Sequence, residues 1–202
     1  PLGLRKLEAI LLKAGISTRI ISPQRTGDID EDVKVFALSS MDPLGLGPVT
    51  VTFKGLLQNQ YISQNPKKKS LQSYTVQKFN ALLKKIQEFE KPIVVGGPGA
   101  NQFELDPTAR ERLGIDYIFI GEAEEIGPKV FRKILEGKEI PKIIRARPLQ
   151  NPLKQVPVTK KPTNHGLIEI SRGCDRHCKF CDPSIRKFHW FSISKILKEA
   201  KI

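Results

Sequence analysis

Ser171-Arg172-Gly173-Cys174-Asp175-Arg176-His177-Cys178-Lys179-Phe180-Cys181 holds all 3 cysteines of this 202-residue chain, in the spacing C-x3-C-x2-C. Three thiolates from one loop can wrap a single ion or cluster with little loss of loop-closure entropy, so the stretch reads as a metal site. The residues alone leave two metals open. Zinc takes four ligands, and His177 between the cysteines, with His165 and His189 flanking them, offers a Cys3His set. An iron–sulfur cluster takes one thiolate per iron, so three thiolates leave one iron open and reactive. A disulfide is the weakest reading, because the count is odd and no secretory segment is visible.

Outward from this stretch, composition fits a globular protein: 39% hydrophobic and 27% charged residues, with room for one domain and part of another. No apolar run approaches a membrane span, so no membrane partner is expected and the expected location is the cytoplasm. The net charge of +13 is uneven. Residues 138–162 carry seven Lys or Arg against Glu139 alone, and residues 172–202 carry eight against three acids. Such a surplus attracts polyanions, nucleic acid above all. Against that, no aromatic-interleaved basic stripe appears, and Arg172, Arg176 and Lys179 would offset a thiolate-rich site.

The chain before the cysteines alternates helices and strands. Leu4, Leu7, Leu11 and Ala14 recur at helical steps, with Gly15 placed to cap. Strands are expected over 18–22, 33–38, 93–95 and 117–120, and residues 58–73 read as a polar surface excursion. Val76, Phe79, Leu83 and Ile86 mark a helix that Pro92 stops; Val130, Phe131, Ile134 and Leu135 mark another that closes at Gly137. Asp106 and Pro107 are expected to cap and open a short helix between them. Continuously apolar strands alternating with helices predict an α/β protein with a parallel sheet covered on both faces. Ligands in such sheets bind at the carboxyl ends of strands, which is where residues 39–47, 96–100 and 121–124 would lie. Their glycines either let a large ligand approach the backbone or only relieve turn strain. Prolines 141, 148, 152, 157 and 162 among basic residues predict an extended linker over 138–165. A second domain is then expected from 166, with Ser192 capping a helix through Ile193, Ile196, Leu197 and Ala200.

Cys174-x3-Cys178-x2-Cys181, with Phe180 before the last cysteine and Ile168-Glu169-Ile170-Ser171-Arg172-Gly173 leading in, resembles the cluster loop of the radical S-adenosylmethionine (radical SAM) superfamily. The resemblance implies that the three cysteines hold a 4Fe–4S cluster. Its fourth iron would chelate S-adenosylmethionine, with Phe180 beside the adenine, and one electron would cleave the sulfonium to a 5′-deoxyadenosyl radical. An electron donor such as ferredoxin or flavodoxin is implied with it. Pro1-Leu2-Gly3-Leu4, Gly96-Gly97-Pro98 and Gly121-Glu122-Ala123-Glu124, in that order ahead of the cysteines, resemble the cobalamin-binding-type domain that precedes many radical SAM barrels.

The two resemblances together imply a Rossmann/flavodoxin-like domain over 1–137, its first strand missing before Pro1, and the first strand–loop–helix unit of a partial TIM barrel over 166–202. The sequence thus reads as cut at both ends. Cobalamin binding stays open, because the family's lower-ligand motif would fall in the missing loop. His177, Arg172 and Arg176 are expected to be solvent-facing or charge-balancing rather than catalytic. The rival reading is a zinc-stabilised nucleic-acid-binding module that uses Cys174, Cys178, Cys181 and one histidine, with the basic stretch against phosphates.

Overall fold

The computed structural model describes residues 2–64, 72–176 and 188–202, the side chains of 58–63 aside. It is a mixed α/β structure with a four-stranded parallel sheet in the order β1-β2-β3-β4: β1 (Phe36–Ser39), β2 (Ile93–Gly96), β3 (Tyr117–Ile120) and β4 (Ile143–Arg145). Two compact units divide the chain within β3, one comprising Pro1–Ile29 with Phe119–Ile202 and the other Asp30–Ile118.

In the unit from Asp30 to Ile118, β1 pairs with β2 from Phe36 opposite Ile93 to Ser39 opposite Gly96. Val94 and Val95 of β2 then pair with Tyr117 and Ile118 of β3. Ile93, Val94, Val95 and Ile118 are almost fully buried, as their unbroken apolar run requires of strands covered on both faces. Asp116 fixes the β2–β3 entry twice: its Oδ2 accepts from Ile93 N at 2.8 Å, and its own amide donates to Ile93 O. Helix α3 (Tyr74–Gln87) starts at Ser73, whose Oγ accepts from Val76 N. It buries Val76, Phe79, Leu83 and Ile86, the four residues that its 3.6-residue period singled out.

Helix α2 (Pro48–Gln64) is absent from the sequence expectation, which assigned no element to residues 49–57 and read 58–73 as a surface excursion. Val49, Val51, Phe53, Leu56 and Leu57 are all exposed, so α2 presents no buried face among its described residues and leaves no helical period to detect. Its start is instead set by Pro48 and by the Asp42 side chain before it. The short helices α4 (Gln102–Leu105) and α5 (Ala109–Arg112) follow β2. Asp106 does not cap α5 as expected. Thr108 stands at that position, and Asp106 Oδ1 accepts from its hydroxyl at 2.8 Å.

In the other unit, α1 (Leu2–Lys13) ends as Gly15 predicts. Gly15 takes φ 76, its amide donates to Leu12 O, and Ile16 N donates to Leu11 O, a paired closure that satisfies the last carbonyls. Helix α6 (Gly127–Leu135) packs on α1, where Arg132 donates to Ala14 O at 2.8 Å, placing a cation on the helix's negative end.

Three sequence expectations are corrected here. Residues 18–22 form no strand and do not enter the sheet. The stretch 138–165, expected as an extended linker, supplies β4, the short helix α7 (Pro152–Gln155), and buried Ile140, Ile144, Leu149 and Val156. Its prolines stop regular structure without keeping the chain in solvent, because apolar residues stand between them. Last, the strand expected just before the cysteines is shorter and later: β5 (Ser171–Arg172) pairs antiparallel with β6 (His189–Trp190). The strand–loop–helix order is kept, since α8 (Ile193–Ala200) starts at Ser192, whose Oγ accepts from Lys195 N. Leu149, Val156 and Phe191, with Ile196 against them, form a small core under this ribbon.

The loops after β1 and β2 approach too closely for side chains. A Cβ on Gly99 would lie 2.5 Å from both Met41 O and Pro43 Cδ, whereas one on Gly3 would meet nothing within 4 Å. Gly99→Ala should therefore lower unfolding stability by about 1–3 kcal/mol in urea titration while Gly3→Ala is neutral or stabilising, and equal effects would contradict the packing of these loops.

Candidate functional site

The loops at the carboxyl ends of β1 and β2 close on each other. Ser40 N donates to Gly96 O at 3.2 Å and Gly99 N to Ser40 O at 3.0 Å. Gly97 holds φ 91, and a Cβ there would lie 2.4 Å from Ser39 Oγ. Below them Asp42 organises the turn into α2: it accepts from Gly47 N at 2.9 Å, from Gln102 Nε2 at 2.8 Å and from the Thr50 hydroxyl, while Gln102 Oε1 accepts from Leu44 N. Burial works to raise the Asp42 pKa, but hydrogen bonds from Thr50, Gln102 and Gly47 outweigh it and hold the carboxyl below its ordinary value.

At the end of β3 the Gly121-Glu122-Ala123-Glu124 turn has the same character. A Cβ on Gly121 would lie 2.7 Å from Ala146 O, just past β4. The space that Gly97, Gly99 and Gly121 leave is thus filled by the chain's own backbone and short side chains. At these three positions the turn-chemistry alternative accounts for the glycine.

The strongest concentration of charge lies at the root of the cysteine stretch. Arg172, the last residue of β5, is mostly buried and surrounded by three carboxylates. Its Nε and Nη2 donate to the two oxygens of Glu169 at 2.6 and 3.0 Å, and its Nη1 donates to Glu122 Oε1 at 2.9 Å and Glu124 Oε1 at 2.6 Å. Glu122 is held in turn by Leu149 N, which donates to its other oxygen at 3.0 Å. Burial opposes the charge on Arg172, yet the hydrogen bonds and fields of Glu169 and Glu124 outweigh it and raise its pKa. Arg172 is therefore not solvent-facing, and its charge is already matched inside the protein, which corrects the expectation that it offsets a thiolate-rich cluster.

The network continues away from the cysteines. Lys6, 3% exposed, has its Nζ 3.7 Å from Glu169 Oε2, paired with Glu199 of α8, and donating to Pro157 O at 2.8 Å. Thr159 N donates to the same Glu199 carboxylate at 3.2 Å. Glu8, fully buried in α1, pairs with Arg5 at 2.8 Å and lies 3.8 Å from Lys161. Lys161 and Lys138, which pairs with Glu136, thus spend part of the basic surplus of residues 138–162 in ion pairs.

Of the predicted site residues, Cys174 follows Gly173 (φ 90) out of the ribbon as an exposed free thiol. Cys178, Cys181, Phe180 and His177 lie outside the described residues. His189 sits in β6 opposite Arg172, and His165 lies in a turn (Asn164–Gly166) at φ 63. Among the described residues no group of three or more His, Cys, Asp or Glu is arranged to hold a metal ion, and none of their helices is long and apolar enough to cross a membrane. The carboxylates of Glu122, Glu124 and Glu169 do converge, but the guanidinium of Arg172 fills their centre. A metal would depend on the cysteines, and the donor chemistry of three closely spaced thiols, the first one exposed, fits a cluster.

This is a parallel-sheet α/β chain that ends in a cysteine-bearing ribbon and helix. No protein-family model and no curated protein matches it. Among solved structures it is similar to TsrM, a radical S-adenosylmethionine methyltransferase from Kitasatospora setae whose structure holds a tryptophan substrate and the SAM analogue aza-SAM. Identity is 16% and the TM-score 0.62 over 98% of this chain, which spans 42% of that one, so the likeness is one of fold. The N-terminal domain of a hypothetical protein from Thermotoga maritima is similar at 17% identity and a TM-score of 0.40, over 71% of this chain and 88% of its own.

Two outcomes test these electrostatics. Lys6→Met strips Glu199 and Glu169 of a buried counter-charge and should cost about 3–5 kcal/mol of stability, measured by chemical denaturation; a loss below 1 kcal/mol would mean that the pair is solvated. Because the folded-state pKa of Asp42 lies below its ordinary 3.8, its ionised form stabilises the fold above that value and the contribution fades as pH falls through the folded pKa. Asp42→Asn should accordingly destabilise at pH 7 by about 1–3 kcal/mol, with the gap to the parent protein narrowing below about pH 3.8.

Proposed function

We propose that this chain is the cluster-bearing part of a radical SAM enzyme, in which Cys174, Cys178 and Cys181 hold a 4Fe–4S cluster. The cluster, when bound, supplies the electron that cleaves S-adenosylmethionine to a 5′-deoxyadenosyl radical. The observation that carries the proposal is an exposed free thiol at Cys174 heading the C-x3-C-x2-C spacing, on a root that buried ion pairs hold in place. The fold likeness to a radical SAM methyltransferase supports it. Phe180 is assigned beside the adenine of S-adenosylmethionine, and a small electron carrier such as ferredoxin or flavodoxin is assigned as reductant.

The residues themselves have separable duties. The thiols donate to iron. Glu169, Glu122 and Glu124 neutralise Arg172 and keep it from competing for anions, and β5–β6 carries the cysteine stretch out of the small core at Leu149, Val156 and Phe191. Iron and sulfide added anaerobically should give a brown protein with about four irons per chain. Cys178→Ala should abolish uptake and His177→Ala should leave it intact. A colourless protein that binds one zinc, lost equally in both variants, would replace this reading with the Cys3His nucleic-acid-binding module.

A further inference from the structure

The Arg172 clamp joins two segments that are about 50 residues apart in sequence, and its position suggests a task beyond stability. Arg172 is two residues before Cys174 and is the last paired residue of β5, so its side chain is the final fixed point before the cysteine stretch begins. Four of the five guanidinium protons are taken up: by both oxygens of Glu169 on one edge, and by Glu122 and Glu124 from Nη1. Glu169 comes from the same strand approach and alone would fix only local conformation. Glu122 and Glu124 come from the turn after β3, and Glu122 is itself pinned by Leu149 N. A fork-shaped cation that bridges these two origins transmits the position of the β3 turn to the start of the cysteine stretch. Lysine could not do the same, since an ammonium has no paired planar donors.

We propose that Arg172 is the positioning residue of the cysteine stretch, setting where Cys174 stands relative to the 121–124 turn. The proposal rests on the cluster reading above for what the thiol does there, though not for the clamp itself. Groups that orient metal ligands without touching the metal are worth roughly 10–100-fold in metal affinity, which sets the expected size of the effect.

The test uses the full chain with four substitutions: Arg172→Gln, Arg172→Lys, Glu124→Gln, and Phe131→Leu as a control that weakens the buried core of α6 and removes none of the clamp's hydrogen bonds. After reconstitution, Arg172→Gln should lose iron to a ferrous chelator at least about ten-fold faster than the parent, Arg172→Lys by an intermediate factor, and Phe131→Leu within about two-fold. In the metal-free protein, hydrogen exchange should speed up together in peptides covering 121–125 and 169–174 for Arg172→Gln, and in neither for Phe131→Leu. If Arg172→Gln does not fold, Glu124→Gln, which keeps the side-chain volume and three of the four clamp bonds, should move both readouts the same way by a smaller factor. Iron loss from Phe131→Leu as fast as from Arg172→Gln, at equal loss of thermal midpoint, would reduce Arg172 to a purely structural role and overturn the proposal. So would exchange at 121–125 that ignores residue 172. If the parent takes up no iron, the cluster reading fails, and the exchange comparison still decides whether the clamp exists.

Discussion

A charge withdrawn from water must meet an opposite charge at close range, and in this protein that demand is met at Glu169. One of its oxygens lies 3.7 Å from Lys6, and both accept from Arg172. Lys6 brings in Glu199, Pro157 and Thr159; Arg172 brings in Glu122 and Glu124. The first helix, the last helix, the proline-rich stretch and the turn after β3 thus share one run of alternating charge. Removing either Lys6 or Arg172 leaves buried carboxylates short of a counter-charge, a larger penalty than the pair's own net contribution. Such networks stabilise less than apolar packing of equal volume but admit few alternative arrangements, because each of the two cations bridges acceptors from separate segments.

The unit from Asp30 to Ile118 is held differently. Its apolar strands need only burial, and its loops meet backbone to backbone, where glycine alone fits. At the turn into α2 its Asp42 carboxylate is met by a hydroxyl, a side-chain amide and backbone amides rather than by a cation. That choice suits a turn: neutral donors fix geometry without a second charge to desolvate.

The functional consequence lies in how the cysteine stretch begins. On the cluster proposal, a loop that presents three thiolates to one point gains from a fixed origin, since each ligand placed before binding reduces the entropy lost on binding. The Gly-Glu-Ala-Glu turn, which looks like a ligand loop, lends its two carboxylates to that origin instead. Its glycine and those of the β2 loop serve the chain's own close approaches.

The sequence by itself determined the parallel α/β class, because unbroken apolar strands and the Val76–Phe79–Leu83–Ile86 stripe bury only in one way. It also determined the Gly15 helix stop, since backbone sign is a local property, and it carries the C-x3-C-x2-C spacing from which the cluster proposal starts. It did not disclose α2, whose exposed apolar residues carry no period, nor the strand at 143–145, where prolines mask short apolar runs. Nor could it pair Arg172 with Glu122 and Glu124. An ion pair leaves no mark on either partner's local sequence, and only the tertiary structure, by carrying the turn after β3 to the end of β5, decided that these charges meet.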